Sequence, residues 1–229
     1  MPWDSHASAI PGPESISRVV FANGITVLVR ENHAAPVAVL HGSLPAGAMH
    51  ETAAQAGLAS LTASMLSRGS QHFDFDAFNE VVEGVGGNLT FGADTDSTDF
   101  GITCLSEDFP LLVEVLADAL RRPTFAGDQF EKLRRQRLVY LRERDQDTGS
   151  VAHMPFYDAI FGRAHPYGRA TSGYVETPGA VQVEDGVALH ADPYTLRGAI
   201  LIATGDLDSA PVLPLLLNSL RAWAGTAAT

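Results

Sequence analysis

The chain has a single cysteine, Cys104, which excludes an intrachain disulfide and a cysteine-rich zinc site together. Basic residues are scarce: 15 Lys and Arg stand against 27 Asp and Glu, for a net charge of −12. That balance argues against a nucleic-acid binder, whose footprint is a basic face, and against attraction to an anionic membrane surface. No run reaches the ~18 uninterrupted apolar residues of a membrane span. The first residues, MPWDSHASAIPGPES, lack a basic segment followed by an apolar one, so no export signal is visible and the expected compartment is the cytoplasm. What the sequence does have is 229 residues, 45% of them hydrophobic and 18% charged. This suits a packed domain rather than a disordered chain.

Residues 1–17 read as a polar, Pro/Gly-bearing lead-in, and residues 18–229 as one domain. Val19–Phe21 and Ile25–Val29 flank Asn23-Gly24, a strong hairpin signal. A third strand is expected at Pro36–Leu40, followed by a glycine-containing loop over Ser43–His50. Residues 52–67 are small or apolar on every side, which predicts a helix buried all round. A helix over 74–83 follows, capped by Asp74 and stopped by Gly84, Gly86 and Gly87. Two strands span 88–104, with Asp94–Asp99 as the turn. Ser106 is the expected cap of a helix running to Arg121, with Glu107 and Asp108 in its first turn. A charged helix from Asp128 to Gln146, helical pieces near 150–161 and 180–190, a strand at Gly198–Thr204 and a final helix from Ser209 complete the chain. Pro211 and Pro214 are expected near the start of that last helix. Clustered strands with helices between them predict an α+β fold: one mixed, mainly antiparallel sheet with helices on one face.

The residues alone do not assemble a catalytic constellation. Eight histidines are present, but no pair has the three- or four-residue spacing that turns two imidazoles to one helical face. They read as surface or locally bonded residues. Ser60, Ser64 and Ser67 have no activating context. Cys104 lies in an apolar strand and reads as an inert core residue. Gly84-Val85-Gly86-Gly87 follows a helix, the wrong polarity for a phosphate cradle. Asp74 and Asp76 read as a cap and its dipole partner. Arg121, Arg122, Lys132, Arg134, Arg135 and Arg137 read as a solvated helix face.

An ordered set of short segments nevertheless resembles the pitrilysin/insulinase family of zinc peptidases, in particular the bacterial subunits similar to mitochondrial processing peptidase. These are Phe21-Ala22-Asn23-Gly24-Ile25-Thr26-Val27, Gly47 to Glu51, Gly57-Leu58-Ala59, Gly86-Gly87-Asn88, Leu116-Ala117-Asp118, His165-Pro166-Tyr167-Gly168-Arg169 and Ala199-Ile200-Leu201-Ile202. In active members Gly-Leu-Ala leads into His-x-x-Glu-His on a helix. The two histidines bind zinc, the glutamate activates the metal-bound water, and a later glutamate is the third ligand. By this resemblance the first histidine position falls at Ser60, the glutamate at Ala63, the second histidine at Ser64 and the third ligand at Leu141. Hydroxyls are poor zinc ligands, leucine has no donor atom and alanine takes no proton. Glu143, the nearest carboxylate to Leu141, points about 200° away along a helix.

The resemblance therefore implies a non-catalytic homologue without zinc, the inactive partner of a zinc-bearing subunit in a two-subunit protease. Its role would be to help hold an extended peptide. The family's substrate adds to a sheet edge, here expected at Asn88, Leu89, Thr90, Phe91 and Gly92. The acidic balance would favour basic peptides. His165 is expected to shape the domain, not to catalyse. Two alternatives stay open: a working metallopeptidase with unconventional ligands, and a scaffold subunit unconnected with proteolysis.

Overall fold

The computed structural model describes residues 12–194 and 197–220, with the side chains of residues 150–153 set apart from that description. Positions 1–11 of the expected lead-in lie outside the described residues.

The Asn-Gly hairpin forms as its sequence dictates. β1 (Ser17–Val20) and β2 (Thr26–Glu31) pair antiparallel with Val20 opposite Thr26, so strand structure begins within the expected lead-in. Gly24 takes φ +90° in the turn, where a side chain would be strained. β3 (Val37–Leu44) is longer than expected, because Ser43 and Leu44 stay in register with β5 (Thr98–Leu105). β4 (Asn88–Ala93) pairs antiparallel with β5 through a turn shorter than the expected Asp94–Asp99, because Thr98 and Asp99 already pair with Ala93 and Gly92; there the Asp94 N–H donates to the Ser97 carbonyl at 2.8 Å. β6 (Ile200–Gly205) inserts between β2, to which it is parallel, and β3, to which it is antiparallel. The sheet order β1-β2-β6-β3-β5-β4 is mixed and mainly antiparallel, and β4 is one of its two edges.

Burial alternates along the strands. Val27, Val29, Ala38, Leu40, Phe100, Ile102, Leu201 and Ala203 are buried, while neighbours such as His41, Ile200 and Ile202 face outward. One sheet face is therefore covered. It packs against α2 (Phe75–Gly84), α3 (Phe109–Arg121) and α7 (Ser209–Leu220) in a core that includes Phe78, Leu112, Leu116 and Leu216. A second core joins α1 (Leu58–Met65), α4 (Gly127–Arg144) and α6 (Val183–Ala191) through Leu58, Leu61, Met65, Phe130, Leu133 and Leu189. α5 (Thr148–Phe161) follows α4.

Some local expectations are corrected. Asp74 caps α2 as read, accepting from the Ala77 N–H at 2.9 Å. Ser106 does not cap α3: it begins a 3-10 turn over Ser106–Asp108 and its hydroxyl donates to Asp206 at 3.0 Å. Pro214 sits inside α7 rather than at its start. The helix expected over 52–67 shrinks to Leu58–Met65, preceded by a 3-10 turn at Ala53–Gln55. The cause is Gly57, which at φ +97° reverses the chain before the first turn. Nor is α1 buried all round: Ser60 and Ser64 form its less covered side.

A Cβ on Gly57 would lie 2.9 Å from the Ser172 carbonyl oxygen in a conformation L-residues resist. Gly57→Ala is expected to cost about 2 kcal/mol of stability in urea denaturation, whereas Gly84→Ala, whose added carbon meets nothing within 4 Å, is expected to be neutral or stabilising.

Candidate functional site

α1 is eight residues long, too short to hold itself. Its first turn is fixed from outside by Glu51, which is 5% exposed. The Glu51 carboxylate accepts from the Gly57 N–H at 3.0 Å and the Ala59 N–H at 2.9 Å. These are N–H groups that a helix start leaves without partners. Burial pushes the Glu51 carboxyl up to about 7, although those N–H groups and nearby Arg169 pull it down. Arg169 closes the clamp from behind, donating to the Glu51 carbonyl at 2.9 Å. The His165–Arg169 segment thus shapes the loop before α1, and His165 Nδ1 accepts from the Tyr167 N–H at 3.2 Å within its own turn.

With α1 so held, Ser60 and Ser64 stand one turn apart. The Ser64 hydroxyl donates to the Ser60 carbonyl at 2.8 Å, the local back-bond common for helical serines. Ala63 is fully buried between them in sequence. The Ser60 hydroxyl accepts from Arg137 Nη2 at 2.7 Å, across the α1–α4 contact. Arg137 is half-buried, and burial together with Arg144 pushes its guanidinium down from its usual value. Its centre lies 5.8 Å from the Tyr140 ring. This corrects the reading of Arg137 as part of a solvated face; Arg135 and Lys132 do remain exposed. Leu141, one turn beyond Arg137, is fully buried, and Glu143 is exposed.

The donor set at these four positions is two hydroxyls, a methyl and a leucine, with a guanidinium hydrogen-bonded to one hydroxyl. It does not fit a zinc ion, which needs imidazole, thiolate or carboxylate donors and no adjacent cation.

Asn88–Gly92 occupy the edge strand β4, which packs against α1. Asn88, Thr90 and Gly92 are exposed, Leu89 is buried and Phe91 half-buried. Beyond its end opens a cleft of about 810 Å³ whose lining includes Asp94, Asp96, Arg144, Tyr157, Tyr167 and Arg169. Its cations are engaged: Arg144 pairs with Asp145 at 2.9 Å and donates to the Gly173 carbonyl at 2.9 Å, and Arg169 donates to the Glu51 carbonyl; the Tyr167 hydroxyl donates to Asp96.

Other candidates are accounted for locally. Cys104 is buried and its thiol is pushed up to about 11 by burial. His72 and Arg122 bond the buried Asp118, at 2.9 and 3.0 Å, and His190 bonds the Leu120 carbonyl at 2.9 Å. Among the described residues one group, Glu31, His33 and Asp208, brings three potential ligand atoms together. All three are exposed, with Glu31 accepting from the Ser209 N–H and His33 bonded to Asp206. Glu51 and Arg137 are the two site residues that sequence reading missed. An acid a few residues ahead of Gly57-Leu58-Ala59 was a usable signal for the first; nothing local marked the second.

The mixed six-stranded sheet with its packed helices is the α+β fold of a solved insulinase-family domain. The chain belongs to that family: the family profile "Insulinase (Peptidase family M16)" matches residues 26–171. It is 24% identical over 197 residues to "Non-peptidase homolog YmxG" of Helicobacter pylori, covering 86% of this chain and 45% of that protein. It is 24% identical over 196 residues to the mitochondrial-processing peptidase subunit beta of Lentinula edodes, covering 85% and 41%. The fold superposes on the crystal structure of a peptidase M16 inactive domain from Pseudomonas fluorescens with a TM-score of 0.85 at 24% identity, covering 93% of this chain and 52% of that one. The chain spans less than half the length of the two sequence relatives.

The raised Glu51 carboxyl makes a signed prediction. Folding favours its protonated form, so its contribution is fully present below about pH 4.5 and is lost as pH rises through about 7. Glu51→Gln cannot titrate. Between pH 4.5 and 8 its stability relative to the parent should therefore rise by on the order of 2–3 kcal/mol in urea denaturation; a difference that stays constant with pH would contradict the assignment.

Proposed function

We propose that this chain is a non-catalytic member of its family that holds an extended peptide on β4 and works beside a zinc-bearing subunit of the same family. The observation that carries the reading is the pairing of Ser60 with Arg137. A guanidinium donates to the hydroxyl at the first expected ligand position, and the third, Leu141, is sealed in the core. No group there lowers the pKa of a water toward the ~7 that a metal achieves, and none at Ala63 can take its proton. The names of two relatives, a non-peptidase homolog and an inactive domain, support the absence of activity. That of a third, a subunit beta, supports the pairing.

Peptide binding at β4 rests on its being an edge, paired through β5 alone among the described residues. The local charge departs from the chain's average. α4, which meets α1, carries six basic residues against three acidic ones, whereas the turn after β4 carries Asp94 and Asp96.

Two peptide series test the reading, each N-methylated at alternate residues and offset by one. A peptide added to an edge turns every second N–H toward the protein. One series should therefore bind the full-length protein at least about tenfold more weakly than the other, while the protein alone cleaves neither, with or without zinc. Equal binding of both series, or zinc-dependent cleavage by the protein alone, would contradict it.

A further inference from the structure

The guanidinium of Arg137 is only partly used. It donates one hydrogen bond, to a neutral hydroxyl, and forms no ion pair with any described residue. Arg144, further along α4, makes the contrast: it is buried against a carboxylate, a hydroxyl and a carbonyl. A partly dehydrated cation without a counter-charge is an incomplete site, because a hydroxyl offsets none of the charge that burial penalises. Four further N–H donors remain, in a planar fork that matches a carboxylate. Arg137 also lines a shallow hollow of about 290 Å³ with Leu61, Leu133, Gln136 and Tyr140. The hollow thus combines one positive charge with aliphatic and aromatic walls. It lies on the α1–α4 contact, and α1 is the same helix that packs against edge strand β4. The lining of the hollow holds no acidic residue, and α4, which supplies most of it, carries six basic residues against three acidic ones, with Arg134 and Arg144 paired to Glu131 and Asp145.

We infer that Arg137 is the anchor for a carboxylate of the bound peptide, received in this hollow while the peptide backbone runs along β4. The inference rests on the reading of β4 as the peptide-holding edge. The carboxylate has two sources, a peptide C-terminus or an Asp or Glu side chain, and both would engage the guanidinium in the same bidentate way. The Ser60 hydroxyl holds the fork in place from the far side, so Arg137 is oriented before the ligand arrives.

The test uses the full-length protein and three forms of one short dye-labelled Val/Thr/Leu peptide: a free C-terminal acid, its amide, and an amide with one internal Glu. By fluorescence anisotropy, one of the two carboxylate forms should bind about tenfold more tightly than the neutral amide, and which one does so identifies the source. Arg137→Gln should bring that form to parity with the amide without changing the amide's affinity. Arg137→Lys, which keeps the charge and loses the fork, should retain an intermediate preference. A merely structural brace between α1 and α4 would alter all three peptides alike. Equal affinity of the parent for all three, or a preference undiminished in Arg137→Gln, overturns the inference. If Arg137→Gln fails to fold, the parent's own discrimination and the Arg137→Lys variant still decide it. Parity among the three forms combined with sensitivity to N-methylation removes the anchor and leaves β4 binding standing. A carboxylate preference without that sensitivity does the reverse, and no binding of any form removes both.

Discussion

A buried carboxylate at the start of a short helix is the constraint on which the site depends. Glu51 takes the two N–H groups that open α1, and Arg169 ties the Glu51 backbone to the His165–Arg169 turn. An eight-residue helix has little stability of its own, so its position is imposed by this clamp and by the core formed with α4 and α6. Once α1 is fixed, Ser60 meets Arg137 and the helix lies against the edge strand. Displacing the clamp would loosen the start of α1, while the core formed with α4 and α6 still holds its later turn.

The chemistry that follows is one of substitution. By the resemblance read from the sequence, zinc-bearing members would hold the metal between two helices, at the positions of Ser60, Ser64 and Leu141. Here the same pair of helices is joined by a guanidinium and a hydroxyl, and the later position is a leucine without exposure. A fixed organic cation can orient an anion or a carbonyl, but it cannot ionise water as a metal does. The arrangement supports holding rather than cutting. The matched part of this chain covers 45% and 41% of the two sequence relatives, so the chain accounts for only part of such a protein.

Much of the fold was legible because it rests on local rules. Asn23-Gly24 between β-branched runs marked the first hairpin, Asp74 the start of α2, and the polar stretch after Ala93 the second hairpin, while β4 as the edge came from the family resemblance. The errors arise where tertiary geometry overrides local pattern. The 52–67 stretch is small and apolar throughout, which suggests one continuous helix; the left-handed Gly57, packed against Ser172 and Gly173, splits it. Ser106 has the right type and place for a cap but finds Asp206 instead. Arg137 could not be told from its basic neighbours along α4, since its burial depends on how α1 crosses that helix. Glu51 and Arg137 act only through contacts outside their own segments, and those are the contacts a single sequence leaves unmarked.

The most direct measurement of the central claim is the zinc content of the purified full-length protein after incubation with excess zinc and gel filtration, read by elemental analysis. The account predicts metal at the level of the buffer. About one zinc per chain, lost on substitution of Ser60 or Ser64 or of a neighbouring histidine, would contradict it.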